Sequence, residues 1–354
     1  MLCYYSNMFE PKFDFTLKIV NTIAIIERLY GGLLTEKLIP SLSLKLSEEN
    51  RVLATHHSTS IEGNPLSPMD VTNVILGDKI PVTKSEKEVK NYFSVLNTIF
   101  ILARKKEPIT ADLTKKLHYE LMKGLVQKDL GEFRNGPVFV GHKTKIEIVV
   151  KHNPPYHKAA EIEKALVQLY DWAQKENVIH PLIRAGILHH QFTYIHPFFD
   201  GNGRLARILT AYFLLLQNYE VPKYFILDDY YDTDRQLYSD SLHLADKKPE
   251  TDWLEYFLEG IAYSLQAAIA RINDLKNTKF EEVTGEKRVL VTNREEEVLQ
   301  IAIEKKAIKT IDIQESLSVT RQQAHALLHS LVKKGLLDKY GKTKTSYYKL
   351  ATKS

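Results

Sequence analysis

The chain has 354 residues, of which 44% are hydrophobic and 26% are charged, and its formal net charge is +4. This composition is ordinary for a soluble globular chain, and the length suggests two or three domains. The single cysteine, Cys3, excludes an internal disulfide framework and fits a reducing compartment. Residues 1–10 show no signal peptide, and the longest apolar run, 208–216, is too short to cross a bilayer. We therefore expect a cytoplasmic protein without membrane contact.

Helical periodicity covers residues 1–106, which we predict to form an N-terminal helical domain. Apolar spacing predicts its first helix over 16–31, with Gly31 and Gly32 at the C-terminal end. Its other helices are predicted at 44–62, from residue 71 and at 85–105.

Residues 107–275 are predicted to form a second, helical core. Thr110 is a predicted N-cap, and helices are expected at 111–124, 159–176, 181–193 and 205–217. Between the first two of these, β-branched alternation over 138–150 predicts a β-hairpin. The chain is therefore predicted to be mainly helical.

The polar segment 276–290 is a predicted linker to residues 291–354. Residues 291–354 carry twelve Lys/Arg against seven Asp/Glu, so residues 1–290 have a net charge of −1. Helices at 294–306, 311–317 and 320–335, followed by a hairpin at 339–348, resemble a winged helix-turn-helix domain. Its side chains that would meet DNA are Arg321, Gln322, Gln323, His325 and His329, with Lys342 and Lys344 at phosphates. Such domains also serve protein–protein or dimer contacts, and both alternatives stay open.

The segment from His196 to Arg207 holds the groups that handle a nucleotide polyphosphate. His196 carries an imidazole that can accept a proton near neutral pH. Asp200 offers a hard oxygen ligand, which suits Mg²⁺ at phosphates. Arg204 and Arg207 lie three residues apart, so both project from one side of a helix toward the phosphates.

Gly201, Asn202 and Gly203 let the backbone turn sharply, so that N–H groups meet an anion at the start of the predicted helix. A P-loop is excluded, because no Lys followed by Ser or Thr comes after these glycines.

The run His-Pro-Phe-Phe-Asp-Gly-Asn-Gly-Arg-Leu-Ala-Arg fills every fixed position of the Fic family signature, and on this motif the chain resembles that family. The resemblance implies a Fic-type helical bundle that transfers AMP from ATP to a protein Ser, Thr or Tyr hydroxyl. It makes His196 the general base and Asp200 the Mg²⁺ ligand. It gives the remaining positions to the phosphates: an anion hole from Asn202 with the Gly201 and Gly203 backbone, charge stabilisation from Arg204, and the γ-phosphate contact from Arg207.

Residues 58–64, Ser-Thr-Ser-Ile-Glu-Gly-Asn, resemble the inhibitory motif of the same family. There the Glu pairs with the second signature arginine, here Glu62 with Arg207, and ATP binds only unproductively. A structural alternative makes Ser58 an N-cap and Gly63 a helix stop, which is compatible with inhibition.

The resemblance also makes the hairpin 138–150 a flap that pairs with a target protein as an added strand, against the alternative of a plain surface hairpin. Tyr238 is a predicted base contact, with burial in the core as an equal alternative. Ser239 and Asp246 stand where the family often has Tyr and Asn, so UMP or another nucleotide moiety stays possible. His189 and His190 suggest zinc binding with His196, against core packing.

We therefore expect an autoinhibited protein adenylyltransferase, with itself as one possible target. One alternative is a DNA-binding regulator whose Fic core senses nucleotide. Another is an enzyme that removes AMP at the same site, with Glu62 positioning water. The sequence leaves the oligomeric state open.

Overall fold

The computed structural model describes residues 9–35, 40–77, 80–143, 148–220, 226–280, 291–341 and 346–351. Cys3, the hairpin tip 144–147, residues 281–290 of the predicted linker, and Lys342 and Lys344 lie outside these ranges. The described chain is mainly helical and has two small antiparallel hairpins, which confirms the predicted fold class.

The chain divides into two compact units. The first holds Met1–Thr35 and Glu49–Asp274, and the second holds Glu36–Glu48 and Leu275–Ser354. The parts predicted as separate domains, 1–106 and 107–275, thus fall largely within one unit. The predicted linker at 276–290 also differs from the structure, because its first residues continue a helix that ends at Phe280.

The first unit begins with four helices: α1 (Leu17–Thr35), α2 (Pro40–Ile61, in this unit from Glu49), α3 (Pro68–Leu76) and α4 (Lys84–Arg104). The predicted end at Gly31 and Gly32 is wrong, because α1 continues to Thr35. Tyr30 and Leu33 are buried on either side of the two glycines, so tertiary packing outweighs their weak helix propensity.

The rest of the first unit surrounds two central helices. Its elements are α5 (Ala111–Met122), β1 (Val140–Lys143), β2 (Ile148–His152), α6 (Ala159–Lys175), α7 (Pro181–Ile195), α8 (Asn202–Leu216), α9 (Asp228–Thr233), α10 (Arg235–Ala245) and α11 (Thr251–Phe280, in this unit to Asp274). Thr110 caps α5 as predicted, and β1 pairs antiparallel with β2. Most side chains of α7 and α8 are buried, so the loop that joins these helices is held by core packing on both sides.

In its described residues 291–341 and 346–351, the second unit has three helices and a hairpin: α12 (Asn293–Lys305), α13 (Thr310–Leu317), α14 (Arg321–Lys333), β3 (Leu337–Tyr340) and β4 (Tyr347–Leu350). Thr320 and Gln323 form a capping box that begins α14. Ala324, Leu328 and Leu331 turn one side of α14 into the core of the unit. Every α14 residue predicted to face DNA is exposed: Arg321, Gln322, Gln323, His325 and His329.

None of the helices in the described part of the chain is both long and apolar enough to cross a membrane.

Candidate active site

The loop between α7 and α8 carries the predicted catalytic residues. His196 ends α7 in the left-handed region, with φ of 50° and ψ of 64°, and Gly201 has φ of 82°. Asn202 braces the loop, since its Oδ1 accepts a hydrogen bond from the Phe198 N–H at 2.9 Å and its Nδ2 donates to the Phe198 carbonyl at 2.7 Å. The side chain of Asn202 therefore shapes the loop, and its contact with phosphate stays a prediction.

Arg134, for which we predicted no role, holds the start of this loop. Its buried guanidinium donates hydrogen bonds to the carbonyl of His196 at 2.7 Å, of Gly136 at 2.7 Å and of Ile195 at 3.2 Å. Three backbone carbonyls thereby receive a hydrogen-bond donor. Arg134 thus fixes the backbone that orients His196.

His118 on α5 holds the other end of the loop. Its Nδ1 accepts from the Gly131 N–H at 3.1 Å, so the proton lies on Nε2, which donates to the Asp200 carbonyl at 3.0 Å. The imidazole also stacks on Phe198, with ring centroids 3.6 Å apart. Because burial lowers the pKa of His118 to about 4, the ring is neutral at pH 7 and keeps this tautomer.

His196 itself is arranged as a base. Its Nδ1 lies 3.3 Å from the Thr193 carbonyl, and because a carbonyl only accepts, Nδ1 carries the proton and Nε2 keeps its lone pair. Burial lowers the pKa of His196 to about 4, and the contact with Thr193 offsets only part of that shift. The imidazole is therefore neutral at pH 7, the form in which it can accept a proton.

Arg207 on α8 is buried and paired with the predicted inhibitory motif. Its Nε donates to Ser58 Oγ at 2.7 Å, and its Nη2 donates to the Ser58 carbonyl at 2.9 Å and to Glu62 Oε1 at 2.8 Å. Asp228 on α9, which we had not predicted, lies 3.2 Å from Nε. Burial would lower the pKa of Arg207, but Glu62 and Asp228 raise it, so the guanidinium stays charged.

The end of α2 places Glu62. The Asn64 N–H donates to the Thr59 carbonyl at 3.1 Å, and the Gly63 N–H donates to the Ser60 carbonyl at 2.9 Å. With Gly63 at φ of 88°, these are the two bonds of a Schellman motif. Glu62 is thus the residue at the C-terminal cap of α2, where the helix dipole disfavours a negative charge.

The carboxylate of Glu62 is stabilised instead by α8. A Cβ atom added at Gly203 would lie 2.5 Å from Glu62 Oε1, so this glycine makes room for the carboxylate at the first turn of α8. The N-terminus of a helix favours negative charge. Burial opposes ionisation of Glu62, but Arg207 and Arg204 outweigh it and lower its pKa. Glu62 therefore occupies the anion site, by which we mean the position formed by Gly203, Arg204 and Arg207.

Arg204 lies between two carboxylates. Its Nη2 donates to Asp200 Oδ1 at 3.1 Å, and its Nη1 donates to Oε1 of Glu88 on α4. The Gly201 N–H also donates to Asp200 Oδ1, at 2.6 Å. The side chain of Asp200 is 53% exposed and that of Glu88 only 12% exposed. Asp200 can thus meet a ligand from solvent, whereas Glu88, for which we predicted no role, is largely enclosed.

Of the two alternatives for Tyr238, base contact or burial, the structure shows a side chain buried in the core. The Tyr238 hydroxyl pairs with Nε2 of His189 at 2.8 Å, and its ring stacks on Tyr231 at 4.3 Å between centroids. His189 also pairs through Nδ1 with Thr210 Oγ1 at 2.9 Å. Tyr238 is therefore part of a packed aromatic cluster, and not a surface that a base can reach.

His190 is also occupied by neighbours. Its Nδ1 lies 2.6 Å from Glu250 Oε1, and its Nε2 lies 3.1 Å from Asp246 Oδ1. Burial opposes protonation, but these two carboxylates raise the pKa of His190. Because both ring nitrogens of His189 and of His190 have protein partners, these two histidines pack in the core and do not form the zinc site considered with His196.

Polar contacts attach the predicted flap to α10 through β2. Lys151 Nζ donates to Ser239 Oγ at 3.1 Å and to Asp240 Oδ1 at 3.0 Å. The buried His152 pairs with Asp246 at 2.8 Å. Ser239 and Asp246, the two departures from the family pattern, thus both hold the base of the hairpin. The tip lies outside the described residues, so docking of a target here stays a prediction.

Residues 108–214 match the model of the Fic/DOC family. The chain contains a Fic/DOC family domain. This finding confirms the resemblance inferred from the signature. The match covers α7, the loop and α8 up to Leu214, so the domain includes the whole signature, whereas Glu62 and Glu88 lie before its start.

Curated relatives carry an activity in their names. The chain is 30% identical over 161 residues to the protein adenylyltransferase Fic of Nematostella vectensis, covering 44% of this chain and 35% of the relative. It is 26% identical over 262 residues to the protein adenylyltransferase fic-1 of Caenorhabditis elegans, covering 72% of this chain and 47% of the relative. The chain thus matches less than half the length of each of these relatives.

Solved structures share the fold. A Fic family protein from Desulfovibrio desulfuricans G20 superposes with a TM-score of 0.63 at 24% identity, covering 98% of this chain and 99% of that one. Fic-1 from C. elegans superposes with a TM-score of 0.57 at 21% identity, covering 73% of this chain and 72% of that one.

Proposed function

We propose that this protein is an autoinhibited protein adenylyltransferase, which moves AMP from ATP to a Ser, Thr or Tyr hydroxyl of a protein. The observation that carries this proposal is the ion pair of Glu62 and Arg207 at the start of α8, beside the neutral imidazole of His196. A carboxylate thus occupies the anion site next to a base that is ready to accept a proton. The names of the curated relatives support the same reaction.

In the proposed reaction the target hydroxyl gives its proton to Nε2 of His196 while its oxygen attacks the α-phosphorus of ATP. A new P–O bond forms, the bond to the β-phosphate oxygen breaks with its electron pair, and pyrophosphate leaves. Arg204 and the N-terminal N–H groups of α8 stabilise the developing charge. Arg134 and Asn202 contribute by holding the loop in shape before substrate binds.

Asp200 fits the Mg²⁺ ion that such a reaction uses. Its side chain is 53% exposed at the start of α8, and its Oδ1 accepts from Gly201 and Arg204, which leaves Oδ2 as a ligand. Mg²⁺ accepts one protein carboxylate together with phosphate oxygens and waters. Held by Asp200, the ion would neutralise charge on the phosphates of ATP.

Inhibition follows from competition for one guanidinium. The γ-phosphate of correctly bound ATP would need the donors of Arg207 that Glu62 and Ser58 now use. With that phosphate displaced, the α-phosphorus is not aligned with the attacking oxygen, and alignment is a large part of the rate. Release of Glu62 would therefore switch the enzyme on.

The test compares the wild type with Glu62→Gly and Glu62→Gly/His196→Ala, each incubated with ATP and Mg²⁺ and measured by intact mass. We expect an AMP-sized gain on Glu62→Gly about 10- to 100-fold faster than on the wild type, since a charge-assisted pair contributes roughly 1.5–3 kcal/mol. The double variant should gain AMP at least about 100-fold more slowly than Glu62→Gly. The exposed Glu107, replaced by Gly, is the matched control and should behave as the wild type.

The same proteins are then given α-labelled ATP in a cell extract, so that a separate target protein is also available. Label on an extract protein, dependent on Glu62→Gly and lost with His196→Ala, would support the proposal. No AMP gain and no labelled protein in either experiment would contradict it. If the protein gains UMP from UTP faster than it gains AMP from ATP, the donor nucleotide in the proposal is wrong but nucleotide transfer to a hydroxyl is supported.

For the second unit we propose contact with duplex DNA through α14. The supporting observation is that Gln322, His325 and His329 are exposed along one side of this helix, with Arg321 exposed at its start. Gln323 is exposed as well, but its side chain bonds to Thr320 in the capping box. Residues 291–354 also carry the basic excess of the chain. A recognition helix presents such residues to base edges in the major groove.

Binding of the full chain to duplex DNA, measured over a series of salt concentrations, tests this contact. We expect affinity to fall steeply with salt, and Arg321→Ala to weaken it while the exposed Lys105→Ala, in the first unit, leaves it unchanged. No binding at low salt would overturn the proposal.

A further inference from the structure

Glu88 links the inhibitory turn to the other signature arginine. Its two oxygens have partners on different segments: Oε1 accepts from Nη1 of Arg204, and Oε2 accepts from Nδ2 of Asn64 at 2.8 Å. Asn64 follows Glu62 and Gly63 in the turn that ends α2, and its Nδ2 also donates to the Ser85 carbonyl at 3.1 Å. One carboxylate on α4 is therefore hydrogen-bonded both to the turn that carries Glu62 and, through Arg204, to α8.

Glu88 lies on the largely enclosed face of α4, with its side chain 12% exposed. Tyr92, Val95 and Ile99 follow it at helical spacing on the same face, and all three are buried. Enclosing a carboxylate costs several kcal/mol unless cations and donors surround it, and an apolar side chain of similar size would often pack there at no loss of stability. The contacts of Glu88 with Arg204 and Asn64 offset that cost, and its charge holds both of these side chains.

We propose that Glu88 is a positioning residue that fixes the guanidinium of Arg204 for catalysis and, through Asn64, anchors the inhibitory turn. This inference rests on the proposed adenylyl transfer. Arg204 is a long side chain, and its bonds to Glu88 and Asp200 restrict it to one arrangement before ATP binds. The two signature arginines are thus held by two carboxylates, Glu62 and Glu88, which are coupled through Asn64.

Glu88→Gln tests the effect on Arg204. In the Glu62→Gly protein, where inhibition is removed, we expect Glu88→Gln to lower kcat about tenfold and to change KM for ATP much less, because a loosened Arg204 loses alignment in the transition state. Glu107→Gln in the same background is the matched control and should leave kcat unchanged. A structural role alone would lower the melting temperature and the amount of folded protein without this split between kcat and KM.

Asn64→Asp tests the coupling to inhibition. Asn64 Oδ1 accepts from the Leu66 N–H at 3.1 Å, and aspartate keeps that bond while it sets a second carboxylate against Glu88. We expect the repulsion to loosen the turn and raise AMP transfer of the otherwise wild-type protein about tenfold. In the Glu62→Gly background inhibition is already removed, so the same change should not raise AMP transfer further, because Asn64 acts on inhibition only through Glu62.

ATP affinity, measured by calorimetry on His196→Ala proteins, gives a readout that does not need transfer. If the inference holds, Asn64→Asp raises this affinity, because the turn no longer keeps Glu62 in the anion site. An active Glu62→Gly protein with unchanged rates for Glu88→Gln and Asn64→Asp would overturn the inference and leave the proposed function standing. An inactive Glu62→Gly protein would count against the proposed function, and unchanged ATP affinity in Asn64→Asp would then overturn the inference as well.

Discussion

Loss of the base at position 196 is expected to lower AMP transfer by the Glu62→Gly protein about 10²- to 10⁴-fold, the usual contribution of a positioned general base. A Ser, Thr or Tyr hydroxyl is a weak nucleophile at pH 7 until its proton has an acceptor. Nε2 of His196 is that acceptor, since Nδ1 is committed to the Thr193 carbonyl. The measurement is the single-turnover rate with ATP and Mg²⁺ in excess.

The choice of replacement decides how clearly this result can be interpreted. His196 has φ of 50°, and alanine in the left-handed region costs roughly 1–2 kcal/mol, so His196→Ala also strains the loop. Asparagine tolerates this conformation better and has no basic nitrogen. We expect His196→Asn to be as inactive as His196→Ala and to bind ATP as tightly as the parent protein. Transfer by His196→Asn above a tenth of the parent rate would exclude His196 as the base.

The local part of the site could be predicted from the sequence because its residues are close in the chain. His196, Asp200 and Arg204 lie on one loop and the helix that it begins, so their spacing already places them together. The pairing of Glu62 with Arg207 spans 145 positions and could be predicted only from the resemblance to the Fic family. Periodicity predicted both helices, but it carries no information about which helix ends meet.

The residues that support the loop between α7 and α8 could not be predicted, because their contacts join residues far apart in the sequence. Arg134 bonds to a carbonyl 62 positions away, His118 to one 82 away, and Glu88 to a guanidinium 116 away. A weak local signal existed for two of them. Glu88 shares the face of α4 with buried Tyr92, and His118 lies among buried residues of α5, so each is a polar side chain on an apolar stripe. Such a residue needs a buried partner, but periodicity does not name it.

For Tyr238 the sequence left two environments open, and only the structure decides between them. Its place in the sequence, after the signature, fitted contact with a base and burial equally well. The decision depends on His189 and Tyr231, which come from two other helices and enclose the ring. Similarly, the break expected at Gly31 depended on local propensity, and packing of Tyr30 and Leu33 outweighed it.

The dependence of transfer on pH is expected to reflect the burial of His196. Burial holds the pKa of His196 at about 4, so roughly nine tenths of the side chain is neutral at pH 5, against about 3% for an ordinary histidine with a pKa of about 6.5. The Glu62→Gly protein should therefore keep most of its rate at pH 5 and lose it as pH approaches 4. The difference from an ordinary histidine is about 30-fold at pH 5.

Stability changes over the same range, and its sign follows from the same shifts. The pKa values of His196 and His118 are about 4 in the folded protein, below the value of about 6.5 in the unfolded chain. The unfolded chain therefore binds more protons between these values, and the stability that the two neutral rings contribute is present above pH 6.5 and is lost as pH falls through about 4. Circular dichroism at each pH separates unfolding from titration, with ATP kept saturating. A rate that falls with a midpoint near pH 6.5 while the protein remains folded would show that His196 is not the titrating base, or that solvent reaches it.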